Sequence, residues 1–230
     1  MSITPCIICI LKGAQQRGVW SHIVSYAGST ERTDMFSHVD VVVHHVADGE
    51  KMLCAYSSYM HELLTLTRLD GNMYDDRLDV ALAIPVSIEE AKVAREFLDG
   101  LVRDHTTYNL TDLALCMMPE AVQRLVPDVP DDAPIKSVFC SQLAVLTIRR
   151  CLSVSAAEVR KQCRAVNSRC TTPNALYDIL SPLCPRVRVQ ALCTGQCEPV
   201  PTTGVTESAC TARGQRPHVP DSSTTGHPPT

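Results

Sequence analysis

The sequence predicts an α+β domain, with a short antiparallel sheet packed against helices, followed by a disordered tail. Three observations lead to this prediction. Runs rich in Val and Ile occupy parts of the first 85 residues, helical apolar stripes recur between residues 87 and 180, and Pro, Thr, Ser and Gly dominate from residue 198. A chain of 230 residues can bury one good core, but the last segment has scarcely an aliphatic side chain to bury. We therefore predict a folded domain over residues 1–197 and a disordered tail over residues 198–230.

The strands are predicted from β-branched and apolar runs that turn signals separate. The strongest run covers residues 36–46, and Asp48-Gly49 follows it as a hairpin turn signal. The other predicted strands are short: residues 3–11, 20–26 (a strand or a helix start), 51–57, 79–85 and 186–192.

The helices are predicted from apolar stripes and from their caps. Ser87 and Glu90 have the spacing of a capping box, and the stripe that follows runs to about Asp104. Three prolines and three aspartates mark residues 127–134 as a loop. Further helices are predicted over residues 108–115 (after a cap at Asn109 or Thr111), 141–152, 155–166 and 171–180.

Charge and hydropathy exclude several classes of partner. A net charge of −4 and a pI near 6.0 give no electrostatic footprint for nucleic acid. No stretch approaches the roughly 20 apolar residues of a membrane span, and no basic region precedes the apolar N-terminal run, so we predict neither stable membrane insertion nor secretion. The basic residues of the second half alternate with apolar positions and are predicted to lie on the wet faces of helices: Arg149, Arg150, Arg160, Lys161, Arg164 and Arg169.

The 12 cysteines are predicted to be free thiols in a reducing compartment. Five of them lie in apolar surroundings where cysteine behaves as a small hydrophobe: Cys6, Cys9, Cys54, Cys116 and Cys151. Cys6 and Cys9 would face opposite sides of a strand, which disfavours a redox pair. A zinc set of Cys184, Cys193, Cys197 and Cys210 lacks paired Cys-x-x-Cys knuckles, so we predict no metal and no cofactor.

Two residues have the local setting of a thiol hydrolase. Cys140 lies where an apolar helix begins, and the helix N-terminus stabilises a thiolate. His38 lies at the start of the strongest strand and could act as the base for this nucleophile. His22 is a second possible base, whereas His44 and His45 are expected to be more exposed near the turn.

A third residue is needed to orient the imidazole, and the sequence leaves several candidates. Asp40 shares a strand face with His38 and carries the preferred charge, so it is the preferred choice. The predicted hairpin would place Ser57 or Ser58 opposite His38, and Glu50 is a further option.

The two residues belong to a longer pattern of four motifs in a fixed order. The motifs are residues 36–41 (Phe-Ser-His-Val-Asp-Val), 106–109 (Thr-Thr-Tyr-Asn), 139–143 (Phe-Cys-Ser-Gln-Leu) and 172–177 (Thr-Pro-Asn-Ala-Leu-Tyr). In this order the chain resembles the circularly permuted branch of the papain-like fold. That branch contains permuted relatives of bacterial cell-wall endopeptidases, lecithin-retinol acyltransferase-like enzymes and many proteins of large DNA viruses. A threonine replaces the glycine that usually precedes the tyrosine, and the family's third polar residue has no clean counterpart.

The resemblance implies that Cys140 is the nucleophile and His38 the base, and that Tyr108 corresponds to a family tyrosine. The small catalytic domain with its Thr- and Pro-rich tail suggests a protein of a large DNA virus. The free thiols predict a cytoplasmic location, which is the interior of the host cell if the protein is viral. The predicted function is hydrolysis of an amide or ester carbonyl in a peptide or related substrate, with Asp40 orienting His38. Two alternatives stay open: a lipid acyltransferase or thioesterase that uses the same dyad, and a catalytically inactive papain-like binding module.

Overall fold

The computed structural model describes residues 5–13, 36–44, 53–59, 62–70, 73–75 and 77–193. Its strands are β1 (Cys6–Gly13), β2 (Phe36–His44), β3 (Cys54–Ser57), β4 (Thr65–Arg68), β5 (Val80–Pro85), β6 (Thr107–Tyr108), β7 (Ser137–Val138) and β8 (Arg186–Val187). Its helices are α1 (Ile88–Arg103), α2 (Leu110–Cys116), α3 (Glu120–Gln123), α4 (Cys140–Cys151), α5 (Ala157–Ala165), α6 (Pro173–Leu180) and α7 (Val189–Cys193), with a 3-10 turn at Ser168–Cys170. The predicted α+β class is confirmed.

A six-stranded antiparallel sheet forms the centre, with the strand order β4-β3-β2-β1-β5-β8. β1 lies between β2 and β5, and all eight of its residues are buried. In the β1–β2 register Lys12 lies opposite His38 and Ile10 lies opposite Asp40. β6 and β7 form a separate parallel pair.

The centre of the sheet is buried on both faces, because successive side chains of β1 enter different cores. Ile7, Cys9 and Leu11 belong to the larger core, which the long helices α1 and α4 cover. Cys6, Ile8 and Ile10 belong to a smaller core on the opposite face, which Val189 and Leu192 of α7 help to close. Cys6 and Cys9 therefore face opposite sides of the strand, as the sequence predicted.

Helix α4 is the central helix of the larger core. Every one of its residues except Arg150 is buried, which is typical of a helix that neighbours surround on all sides. Gln142 helps to begin this helix, because its side-chain oxygen accepts the backbone N–H of Phe139 at 3.3 Å.

Helix α1 begins as the sequence predicts. The Ser87 hydroxyl accepts the N–H of Glu90 at 3.1 Å, and the Glu90 carboxylate accepts the N–H of Ser87 at 2.9 Å. The two bonds complete the predicted capping box and satisfy two N–H groups that the helix itself cannot pair.

Several sequence predictions need correction. The strand predicted over residues 186–192 is a two-residue strand followed by helix α7. The helix predicted over residues 108–115 begins only at Leu110, because Tyr108 pairs as a strand with Val138 and Asn109 is the cap. Arg149 is not on a wet face: only 4% of it is exposed. The segment at residues 20–26, the turn at residues 48–49 and the tail at residues 198–230 lie outside the described residues.

Within the described part of the chain, no helix combines the length and the apolar character needed to cross a membrane. All nine described cysteines are free: Cys6, Cys9, Cys54, Cys116, Cys140, Cys151, Cys163, Cys170 and Cys184. Of the candidate zinc set, Cys197 and Cys210 and the side chain of Cys193 lie outside the described atoms.

Candidate functional site

Strand β2 brings His38 and Asp40 to the same face, two residues apart. Both are buried, with 6% and 0% of their surface exposed. The Nε2 atom of His38 lies 2.8 Å from the Oδ1 atom of Asp40, which is a charge-assisted hydrogen bond when the imidazole is protonated. This bond fixes the orientation of the ring and leaves Nδ1 for another partner.

Helix α4 supplies a second partner for the imidazole, since Cys140 is its first residue. The chain reaches the helix through β7, and the Ser58 hydroxyl holds this approach by donating to the Val138 carbonyl at 2.8 Å. The Cys140 thiol is hydrogen-bonded to the His38 imidazole, and backbone N–H groups of Val39 and Ser141 also bond the sulfur. The structure therefore brings together the three preferred candidates, Cys140, His38 and Asp40.

The electrostatics of these three residues favour an ion pair. Burial alone would lower the pKa of His38, but the charges of Asp40 and Cys140 and the hydrogen bonds to them raise it to about 10. Burial alone would raise the pKa of Cys140, but the imidazolium and the two backbone N–H groups lower it below that of an ordinary thiol. Both shifts act in the direction that favours thiolate and imidazolium over thiol and imidazole.

Asp40 accepts from several groups besides His38. The Tyr74 hydroxyl donates to its Oδ2 atom at 3.0 Å, and the Ser57 hydroxyl donates to its Oδ1 atom. The ammonium group of Lys12 pairs with Oδ2. Burial would raise the pKa of Asp40, but His38 and Lys12 together hold it well below its usual range. Asp40 is thus a buried anion with a full set of donors.

One face of the His38 imidazole ring is also in contact with an aromatic side chain. The ring of Tyr59 stacks on the ring of His38, with centroids 4.3 Å apart and planes inclined by 10°. The β2–β3 register pairs Val41 with Tyr56, and continued toward the start of β2 it brings Tyr59 opposite His38. Tyr59 and Asp40 together restrict the ring in two directions.

The other candidates for the third residue have different places. Ser57 bonds Asp40 rather than His38, so the prediction that it lies opposite His38 is wrong by two residues of register. Ser58 bonds Val138 and is likewise not the partner of His38. Glu50, His22 and His45 lie outside the described residues. His44 is buried at the far end of β2, with 6% exposed, and not near the surface as predicted.

Lys12, Tyr59 and Tyr74 are neighbours of the candidate site that the sequence patterns did not indicate. Lys12 is the only one with a local signal, a charged residue at the end of an otherwise apolar strand. Tyr108, the residue that the family resemblance singles out, lies beside Val138 on the β6–β7 pair. Burial raises the pKa of its hydroxyl above the ordinary value, and the nearby Cys140 adds to this shift.

A second polar cluster lies behind the start of α4. The Gln142 amide donates to Asp112 at 2.9 Å, and the guanidinium of Arg169 pairs with the same carboxylate at 2.8 Å. Gln142 and Leu146 are spaced to lie on a face of α4 that Cys140 does not share. They help to line a cavity of about 270 Å³ whose lining includes neither Cys140 nor His38.

No protein-family model, curated protein or solved structure matched this chain in the comparisons with known proteins.

Proposed function

We propose that this protein is a cysteine-dependent hydrolase of the permuted papain-like kind, which cleaves an amide or ester bond through Cys140, His38 and Asp40. The observation that supports it most is the chain of hydrogen bonds from Cys140 through His38 to Asp40. A nucleophile, a base and an orienting group in hydrogen-bond reach of one another are the arrangement that covalent acyl transfer requires. The order of the four sequence motifs supports the same family.

In the first half of the reaction the Cys140 thiolate attacks the carbonyl carbon of the substrate. A carbon–sulfur bond forms and the carbonyl electron pair moves to oxygen. His38, as imidazolium, then donates its proton to the leaving amine or alcohol as the tetrahedral intermediate collapses to a thioester. Asp40 keeps the ring oriented and stabilises its positive charge before the transfer.

The start of helix α4 offers donors for the oxygen that becomes negative. The backbone N–H of Cys140, at the first position of the helix, has no acceptor within the helix. It lies next to the attacking sulfur and at the positive end of the helix dipole, which favours an oxyanion there.

In the second half of the reaction a water molecule replaces the leaving group. His38, now neutral, takes a proton from this water, and the oxygen attacks the thioester carbon. The carbon–sulfur bond breaks, the acid is released and Cys140 returns to the thiolate beside a protonated His38. No metal or redox partner is needed for this sequence of steps.

One observation favours a second candidate, a catalytically inactive binding module. Cys140 has 1% of its surface exposed and His38 has 6%, so a carbonyl carbon can contact the sulfur only after neighbouring groups move. In this second function the ion pair would be a structural feature of the core, and the protein would act through its surface.

Hydrolysis assays on the full chain separate these functions. We expect peptide amides or activated esters to be cleaved. Cys140→Ala should lower the rate of cleavage by a factor of about a thousand or more, and His38→Ala should lower it by a factor of about a hundred or more. The matched control is Cys151→Ala, which removes a buried thiol from the other end of the same helix and should leave turnover unchanged. Mass spectrometry should detect an acyl group on Cys140 during ester turnover.

Other outcomes of these assays would support the alternative functions. Transfer of an acyl chain to an acceptor lipid, without amide cleavage, would support the acyltransferase alternative. Absence of turnover and of an acyl adduct across amides and esters, in a folded protein, would contradict the hydrolase and support the binding module.

A further inference from the structure

Lys12 lies beside the candidate site, but the proposed mechanism gives it no step. We propose that Lys12 is a positioning residue: its ammonium group balances the charge of Asp40 and so sets how tightly the Cys140–His38 pair holds its protons. This inference rests on the proposed function, because it concerns the protonation of that dyad.

The contacts of Lys12 place its charge next to Asp40, at one end of the candidate site. Only 2% of the residue is exposed, and its ammonium group pairs with Asp40 Oδ2. The same group is 3.0 Å from the Tyr59 hydroxyl, 4.6 Å from the ring centre of Tyr74 and 5.6 Å from that of Tyr59. Two electron-rich rings and one carboxylate therefore enclose the cation.

Hydrogen bonding alone does not explain a lysine here. The Asp40 carboxylate already accepts from His38, Ser57 and Tyr74, so its oxygens have partners without Lys12. Burying an ammonium group is costly, and a neutral side chain of similar length would avoid that cost. What Lys12 adds and a neutral donor cannot add is one unit of positive charge.

That charge acts on the dyad through Asp40. Lys12, Asp40, His38 and Cys140 form a row of alternating charges when the dyad is an ion pair. Removing the positive charge of Lys12 would leave Asp40 uncompensated, and the more negative surroundings would hold the protons of both dyad members more tightly. Both pH midpoints of the dyad should then move upward.

The other titratable groups near Lys12, Asp40, His38 and Cys140 are the same in every variant compared. Tyr59 and Tyr74 flank Lys12, Asp79 bonds the adjacent Gly13 N–H at 2.9 Å, and Tyr108 and Cys116 lie near Cys140. Since a substitution at position 12 alters none of their charges directly, a shift of the midpoint reports the charge of Lys12.

The test is a titration of the Cys140 thiolate in the full chain, read as the ultraviolet absorbance difference between each protein and its own Cys140→Ser counterpart. We expect Lys12→Met to raise the acid midpoint by about one pH unit, and Lys12→Arg, which keeps the charge, to move it by no more than a few tenths. Thermal unfolding of the same proteins shows whether they are folded. A purely structural role would lower the melting temperature of Lys12→Met and leave the midpoint where it is in the wild type.

If Lys12→Met does not fold, a second pair of variants tests the role of the Lys12 charge. Asp40→Asn and the double variant Asp40→Asn/Lys12→Met differ only in the charge of Lys12, and the double variant replaces a buried ion pair by neutral groups, a change that proteins often tolerate. We expect the higher midpoint in the double variant, and equal midpoints would overturn the inference.

The wild-type titration separates the two proposals. If its acid midpoint is that of an ordinary thiol, and His38→Ala does not raise it, the ion pair of the proposed function is absent and the role of Lys12 falls with it. If the wild-type midpoint is low but Lys12→Met leaves it unchanged in a folded protein, only the role of Lys12 is contradicted.

Discussion

At the scale of single residues, the fold strongly changes the protonation of His38. Its pKa is raised to about 10 by Asp40 and Cys140, against an ordinary value of about 6.5. Because the folded pKa lies above the unfolded one, this group stabilises the fold fully below about pH 6.5. The stabilisation is lost as the pH rises through about 10.

We therefore expect one imidazole to stay protonated while ordinary histidines titrate. NMR of protein labelled at its eight histidines should show one ring that keeps its proton at about pH 8, and this signal should vanish in His38→Gln. Asp40→Asn should bring the midpoint of the same ring down by more than about one unit, since the carboxylate is lost. A His38 signal that titrates near pH 6.5 in the wild type would contradict the ion pair.

The cysteines differ sharply in how burial acts on them. Burial raises the pKa of Cys151, Cys163 and Cys184 to about 12 in each case, because no cation compensates enough for the lost solvation. Cys140 is as deeply buried, but the imidazolium and the helix start lower its pKa.

At about pH 6 we expect iodoacetamide to modify Cys140 faster than these three thiols, and His38→Ala to remove the preference. Peptide mapping after brief labelling gives the rate at each cysteine separately. Cys163→Ala is a suitable control, because it removes a buried thiol without touching the dyad. Equal labelling of Cys140 and Cys163 in the wild type would count against a thiolate.

The candidate site shows which residues a sequence can predict. Cys140, His38 and Asp40 each lie in a local sequence pattern, either a helix start or a strand alternation. Each of them can therefore be predicted as a site residue from its own neighbours in the sequence. Lys12 and Tyr59 reach the site only through the pairing of β2 with its two neighbours, and pairing depends on contacts between distant parts of the chain. Ser57 was placed wrongly for the same reason, since a small error in register moves a side chain to another partner.

At the scale of elements, Glu90 joins two segments that are distant in the sequence. Besides its capping bond to Ser87, its Oε1 atom accepts the N–H of Ser153 at 2.7 Å and of Val154 at 2.9 Å, as well as the Ser153 hydroxyl at 3.0 Å. Burial would raise the pKa of Glu90, but the hydrogen bond from the Ser155 side chain, followed by those from the backbone of Ser87, Ser153 and Val154, holds it well below its usual range. A carboxylate that begins α1 therefore also orders the turn after α4.

We expect Glu90→Gln to destabilise the protein by about 2–3 kcal/mol, because an amide cannot accept from all these donors and leaves some of them unpaired. Chemical denaturation at neutral pH measures this, with the exposed neighbour substitution Glu89→Gln as the control, expected within about 0.5 kcal/mol. The difference between Glu90→Gln and wild type should shrink in acid, as the pH falls from about 4.3 through the lower folded pKa. A pH-independent difference would point to packing and not to charge.

The errors in predicted elements have a common physical origin. Residues 186–192 alternate as a strand would, but Val189 and Leu192 are three apart, and burying both in the smaller core requires a helix. β4 was missed because only one of its four residues is apolar and it forms the edge of the sheet. Helix α1 was predicted well because its cap and stripe are local.

At the scale of the whole molecule, the buried guanidinium of Arg149 connects segments of the helical half, by which we mean the loop that contains Asp128, helix α4 and helix α5. Arg149 of α4 donates to the Cys163 carbonyl at 2.8 Å and to the Val166 carbonyl at 2.7 Å, and it pairs with Asp128. Asp128 in turn accepts the Ser168 hydroxyl at 2.7 Å. The central helix, the loop before it and the end of α5 thus depend on one side chain.

The same side chain shows why a basic residue in an apolar helix is ambiguous in a sequence. Alternation with apolar positions predicted a solvated face, yet the acceptors that Arg149 needs are carbonyls at the end of α5, where a helix leaves such groups unpaired. A cation at that end also interacts favourably with the helix dipole. The position is therefore determined by tertiary packing and not by the local pattern.

We expect Arg149→Met to destabilise the protein by about 3–5 kcal/mol, since it leaves Asp128 and two carbonyls without their cation in a largely buried place. Arg124→Met is the matched control. Its guanidinium pairs with Glu120 at 2.7 Å on the surface, with both side chains 75% exposed, so its loss should change the unfolding free energy by less than about 1 kcal/mol. Denaturant unfolding followed by circular dichroism measures both.

Because α4 carries Cys140 at its first residue, Arg149→Met should also loosen the dyad and slow its alkylation at about pH 6, whereas Arg124→Met should not. Equal stability losses in the two variants would mean that the buried network does not hold the helical half together.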